Sequence, residues 1–138
     1  MKDLSHATSS LVVRTDYSDE EAWVNVCREI ETPSLIDEFH AYVSLVSDPD
    51  FDGLDIGTLA SLGRRGGQSS FMFVVDRATL ADVEHAVLVL DLSDELHPPF
   101  RVIPEQMWSV ENNLSLANMD YMEFAEDVDA DGVFRGFH

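Results

Sequence analysis

The sequence predicts an α/β (α+β) fold: a mixed, mostly antiparallel sheet of about five strands, with an N-terminal helix and C-terminal helices packed on it. Three observations carry this expectation. Short β-branched or continuously apolar runs recur at residues 11–15, 71–75, 86–90 and 100–103, the length of buried strands rather than helices. Trp23, Val26, Cys27 and Ile30 repeat at helical spacing and end before Pro33. Two pairs spaced as capping boxes, Ser18 with Glu21 and Asp120 with Glu123, mark helix starts.

Taken in order, residues 1–9 are polar and read as a flexible tail, which leaves residues 10–138 as one globular domain. A strand over 11–15 ends at Asp16, and a helix spans 18–31 with Asp19 and Glu20 where the helix dipole favours acids. A second strand is expected within 39–46. Asp48 to Gly53 has turn chemistry, and a short helix over 56–62 ends at Gly63. Residues 64–70 read as a flexible loop. The runs 71–75 and 86–90 are separated by only ten residues, Asp76 to His85, too few for a comfortable parallel crossover. They therefore read as an antiparallel hairpin with a wide loop. A strand over 100–103 leads to Pro104, which suits the first turn of a helix through 113 with Met107, Trp108 and Val110 turned inward. Residues 113–118 are ambiguous between helix and strand. Asp120 opens a short helix, and residues 133–137 form a last edge strand.

Charge restricts function more sharply than fold. Eight Lys and Arg against 27 Asp and Glu give a net charge of −19, and Lys2 is the only lysine. Such a surface repels nucleic-acid phosphates and anionic membranes, so neither is expected as a partner. The ordinary reading of the charge is solubility. The sharper one is a basic protein partner. No apolar run approaches the roughly 20 residues of a membrane helix, and 1–10 lacks the apolar core of a secretory leader. The lone Cys27 sits on the apolar stripe of the first helix, where burial suppresses the thiolate. A cytoplasmic protein without a cofactor is the expectation.

Several segments carry a resemblance. They are Leu11-Val12-Val13-Arg14-Thr15-Asp16 with Ser18-Asp19 and Ala22-Trp23, then Phe100-Arg101-Val102-Ile103-Pro104. The run Met107-Trp108-Ser109-Val110-Glu111-Asn112-Asn113-Leu114-Ser115 follows, with Ala117-Asn118-Met119-Asp120, Phe124 and Asp131-Gly132-Val133-Phe134-Arg135-Gly136-Phe137. Together they resemble an uncharacterised family of small acidic bacterial, actinomycete-type, single-domain proteins. The resemblance implies a bacterial cytoplasmic protein and supplies no catalytic residues.

Four kinds of chemistry can be weighed on the residues themselves. Asp127, Asp129 and Asp131 occupy the first, third and fifth positions of a calcium-loop pattern, with Gly132 sixth and Phe134 eighth. The twelfth position, normally a bidentate Glu, is His138. Asp48, Asp50, Asp52 and Gly53 repeat the spacing, but Leu59 stands at the twelfth position. Solvated acidic turns with left-handed glycines are the ordinary reading, and divalent-cation (Ca or Mg) binding the alternative. A metal-dependent hydrolase would need the strand-end acids Asp16, Asp76 and Asp91 to converge, which the hairpin opposes. The run Gly63-Arg64-Arg65-Gly66-Gly67 lacks the lysine and spacing of a phosphate loop. His6, His40, His85, His97 and His138 are scattered, and no Ser sits in a nucleophile elbow. Asn112, Asn113 and Asn118 suit helix ends. Flanked by Trp108 and Tyr121, they also form a candidate partner-binding patch. The favoured function is binding rather than turnover: an immunity- or antitoxin-like neutraliser of a basic protein.

Overall fold

Side-chain alternation along three strands decides the architecture. In β1 (Ser10–Arg14), β3 (Phe71–Val75) and β4 (Val87–Asp91) every residue is buried, so both faces of the sheet must be covered. Val12, Phe71, Phe73, Val75, Val87 and Val89 point to one core. Leu11, Val13, Met72, Val74, Leu88 and Leu90 point to the other. The computed structural model describes residues 10–34, 38–66, 70–93 and 97–137.

The elements alternate in the way the two cores require. Helix α1 (Glu20–Glu31) follows β1 and buries Ala22, Trp23, Val26 and Ile30 in the first core. Strand β2 (Val43–Val46) comes next, then a 3₁₀ turn at Pro49–Phe51. Helix α2 (Ile56–Gly66) covers the opposite face with Leu59 and Ala60. After β3 a short helix, α3 (Arg77–Ala81), leads into β4. Then follow β5 (Phe100–Val102), a 3₁₀ turn at Pro104–Gln106, α4 (Met107–Ser115), α5 (Tyr121–Ala125) and β6 (Val133–Phe134). Helices α4 and α5 join α1 on the first core through Met107, Val110, Leu114, Tyr121 and Phe124.

The mixed α/β fold is as expected, with six strands in the order β2-β1-β3-β4-β5-β6. The hairpin is real: β3 and β4 are antiparallel, with Phe71 opposite Asp91, and β4 and β5 are antiparallel too. Parallel pairs flank this centre, β1 with β2 and β3, and β5 with β6. The two long connections through α1 and α2 permit the parallel pairs on the β1 side.

Several boundaries move for identifiable reasons. The N-cap of α1 is Asp19, whose carboxylate accepts the Ala22 N–H at 3.0 Å, rather than Ser18. Ser18 is instead held by the Asp16 carboxylate through both its hydroxyl and its N–H. Arg64 and Arg65 continue α2, since cations suit a helix C-terminus. The wide loop after β3 contains α3, whose capping box uses Asp76 and Thr79. The Asp120–Glu123 box stands at the start of α5. Helix α4 runs to Ser115, which resolves much of the ambiguous stretch. The expected tail over 1–9, the loop positions 67–69, and His138 lie outside the described residues.

Arg14 closes β1 as a buried cation with 2% of its side chain exposed. Its guanidinium donates to Glu20 Oε2 at 2.7 Å, to the Asp16 carbonyl at 3.1 Å and to Ser47 Oγ at 3.3 Å. The rings of Tyr17 and Trp23 lie over it at 4.1 and 5.0 Å. Arg14 thereby ties together β1, the start of α1 and the end of β2.

Candidate functional site

Helix α4 carries two stripes. Met107, Val110 and Leu114 enter the core. Trp108, Glu111, Asn112 and Ser115, spaced as neighbours on the adjoining helical face, look toward the chain entering β2, the edge strand of the sheet. There Glu111, only 8% exposed, reaches across and accepts the Tyr42 N–H through Oε1 at 2.8 Å. Its Oε2 accepts the Ser115 hydroxyl at 2.8 Å. This carboxylate holds the segment before β2 against the helix.

The result is a cleft of about 120 Å³ lined by Phe39, His40, Tyr42, Trp108, Glu111 and Asn112. Phe39 packs on Trp108 with ring centres 5.2 Å apart, and His40 on Tyr42 at 5.5 Å. Phe39 remains 58% and Tyr42 74% exposed, so the rings are presented rather than stored. The buried Trp108 Nε1–H has no hydrogen-bond partner among the described residues. Trp108, expected to turn inward, is half-buried as a wall of this cleft.

The five residues expected to form one patch are distributed over three places. Trp108 and the exposed Asn112 share the aromatic cleft. Asn113 and Asn118 build the corner after α4. The Asn113 side chain donates to the Ser109 carbonyl at 2.9 Å, and the Asn113 carbonyl accepts the Asn118 N–H at 2.9 Å. Tyr121 is buried, and its hydroxyl lies 3.0 Å from the carbonyls of both Val89 and Pro98. Burial, then the nearby Asp91 carboxylate, pushes its phenol well above the ordinary range. The strand expected within 39–46 includes Phe39 and Tyr42, which instead precede β2. The signal they gave was two large aromatics with His40 in a segment lacking alternation.

Tyr121 walls a second cavity, of about 370 Å³, that includes Asp91, Ser93, His97 and Asp120. Asp91 ends β4 with 2% of its side chain exposed. It accepts the N–H groups of Ser93 and His97 at 2.9 and 3.1 Å, and its Oδ2 lies 2.8 Å from His97 Nδ1. Burial raises the Asp91 carboxyl, but these hydrogen bonds outweigh it and hold the group below the usual carboxylate range. The His97 ring stacks on Tyr121 at 5.9 Å. A third cavity, of about 480 Å³, lies at the end of α1 beside Pro104. Two of its carboxylates are engaged, Glu29 by His85 and Glu84 by Arg135, each at 2.7 Å.

In the acidic turns the carboxylates of Asp129, Asp131 and Asp48 accept bonds from the protein's own donors. Arg135 bridges Asp129, Asp131 and Glu84, each at 2.7 Å. The bonds to Glu84, then to Asp131 and Asp129, drive its guanidinium further toward the charged form. Asp127 lies at the end of α5, and its N–H bonds the Phe124 carbonyl. Asp48 caps the 3₁₀ turn by accepting the Asp50 N–H at 3.0 Å, and the Asp52 N–H bonds the Pro49 carbonyl. Gly53 and Gly132 close the two turns with φ of 74° and 82°. Among the described residues, no three His, Cys, Asp or Glu side chains are grouped to hold a metal ion. Asp16 and Asp76 follow parallel strands at one sheet edge, while Asp91 lies opposite Phe71 at the other, so the strand-end acids do not converge. Cys27 is half-buried, and burial above all pushes its thiol up to about 11.

Fold and clefts together define a mixed α/β protein of net charge −19 that carries an exposed aromatic cleft. The chain belongs to the DUF6924 family, a domain of unknown function, whose family model matches residues 9–137. This agrees with the resemblance to an uncharacterised family carried by the motif residues. No curated protein matches the chain. Among the described residues no helix is long and apolar enough to cross a membrane.

Proposed function

We propose that this chain is a non-catalytic, acidic protein-binding module that engages a basic protein, in the way an immunity protein or antitoxin neutralises a basic effector. The observation that carries this reading is the exposed aromatic cluster of Phe39, packed on Trp108, and Tyr42, packed on His40, beside the Glu111 carboxylate that accepts the Tyr42 N–H. Tyr, Trp and Phe are the residues that supply most binding energy at protein interfaces. Here they stand on a body of net charge −19, which steers a cationic partner inward and loses that steering as salt rises. Neutralisation follows as the activity because covering a basic surface is enough to block it.

The test is affinity capture from the protein's own cell extract at low and high salt, with the wild type beside Phe39→Ser/Tyr42→Ser. Both residues are more than half exposed, so the double variant retains the wild-type melting temperature. A basic protein held by the wild type should bind the variant roughly tenfold or more weakly, the usual loss on truncating interface aromatics. Equal capture by both chains would refute this face as the binding surface.

A further inference from the structure

Resting on the protein-binding reading above, we infer that the Phe39–Trp108 cleft is a slot for one arginine side chain of the basic partner. Four features of the cleft select that chemistry. Its lining includes four rings in two tilted pairs, Phe39 with Trp108 and His40 with Tyr42. A cation against the face of Trp, Tyr or Phe is attracted by the ring quadrupole. Glu111 contributes a carboxylate that is nine-tenths buried, where charge interacts more strongly than in water. Each of its oxygens already accepts one bond, from the Tyr42 N–H or the Ser115 hydroxyl. A carboxylate oxygen has two lone pairs, so each can accept one more. Two adjacent acceptors beside aromatic faces match a planar guanidinium, which stacks and donates two parallel bonds at once. An ammonium is compact and strongly hydrated, and gains less from either feature. Neither Lys nor Arg lines the cleft among the described residues, and the chain as a whole carries a net charge of −19. Anionic side chains are therefore disfavoured, and a neutral side chain leaves the carboxylate without a counter-charge. Asn112, exposed at the rim, offers an amide oxygen for a further donor.

The inference is tested on the full chain with N-acetyl-arginine amide, compared with the lysine and citrulline amides. Citrulline keeps the shape of arginine and removes its charge. The protein has two tryptophans, and the Trp108 indole N–H resonance reports the cleft while Trp23, packed in the core over Arg14, serves as internal control. Arginine amide is expected to shift the Trp108 resonance saturably, with lysine amide weaker and citrulline amide at least about tenfold weaker. Glu111→Gln should abolish the preference for arginine over citrulline. Tyr42→Ala, at a three-quarters exposed position that keeps the backbone N–H, should weaken arginine binding without altering the fold. Equal binding of citrulline and arginine, no saturable shift at all, or unchanged binding in both variants would each overturn the slot. The two levels fail separately. If arginine amide does not bind while Phe39→Ser/Tyr42→Ser still loses the basic partner, the slot falls and the protein-binding reading stands. If arginine amide binds while that double variant captures the partner normally, the partner docks on another face and the slot is not the site of its arginine.

Discussion

Asp76 shows how one carboxylate serves two structures. It caps α3 by accepting the Thr79 N–H at 3.0 Å, and it takes a two-pronged bond from Arg101 at 3.0 and 2.8 Å. Burial raises its carboxyl, but Arg101 and Thr79 outweigh burial and the group is held below the usual carboxylate range. A depressed folded-state value means the stabilisation is present above the ordinary carboxylate range. It is lost as the pH falls through the folded value. Asp91 behaves in the same direction. Thermal melts should therefore show stability nearly flat from neutral pH to about 5 and falling steeply below about 4, with a shallower fall in Asp76→Asn. At neutral pH Asp76→Ala should lose about 2 kcal/mol in urea denaturation, because the α3 cap disappears and Arg101 loses its carboxylate partner, keeping only its bonds to Thr79 and the Ala86 carbonyl. Tyr121→Phe removes the hydroxyl that reaches the Val89 and Pro98 carbonyls, and should cost about 1–2 kcal/mol by the same measurement.

At the scale of elements, each of the two acidic turns is closed by a glycine in the left-handed region. Gly132 adopts φ 82°, and a Cβ there would meet nothing within 4 Å. Any cost of Gly132→Ala is therefore purely conformational, and about 1 kcal/mol is expected from the left-handed backbone. Full loss of β6 in the variant, read by hydrogen exchange of Val133 and Phe134, would contradict this. The same turn explains why an acidic loop that begins like a calcium site need not bind one. Arg135, six residues beyond Asp129, already supplies the positive charge. Calorimetric titration with Ca²⁺ should reveal no site tighter than millimolar, and a micromolar isotherm would show that calcium displaces the guanidinium.

Across the whole molecule, charge and cleft divide the work of recognition. The net charge of −19 acts over roughly a Debye length and governs encounter, whereas the rings act only in contact and govern dissociation. Raising NaCl from about 50 to 500 mM should slow association with the basic partner by at least about tenfold and change dissociation much less. Phe39→Ser/Tyr42→Ser should do the reverse, accelerating dissociation and sparing association. Surface plasmon resonance separates the two, and equal effects of salt on both rates would mean that the ion pairs at the contact, not the long-range field, dominate.

Periodicity was enough to place β1, α1, β3, β4 and β5, because a buried run and an apolar helical stripe are local patterns that read directly as burial. The β3–β4 hairpin was legible too, since ten residues are too few to return a chain parallel to itself. Local spacing said nothing of partners distant in the chain. It could not show that Glu111 would take the N–H of Tyr42, 69 residues away, and so bring Phe39 and Tyr42 to Trp108. Nor could it show that Arg135 would neutralise the acids of its own turn, or that Tyr121 would be drawn from the Asn-rich patch into the core beside Asp91. Apolar burial is encoded residue by residue. A cleft is an agreement between segments, and only packing the helix against the sheet edge brings those segments together.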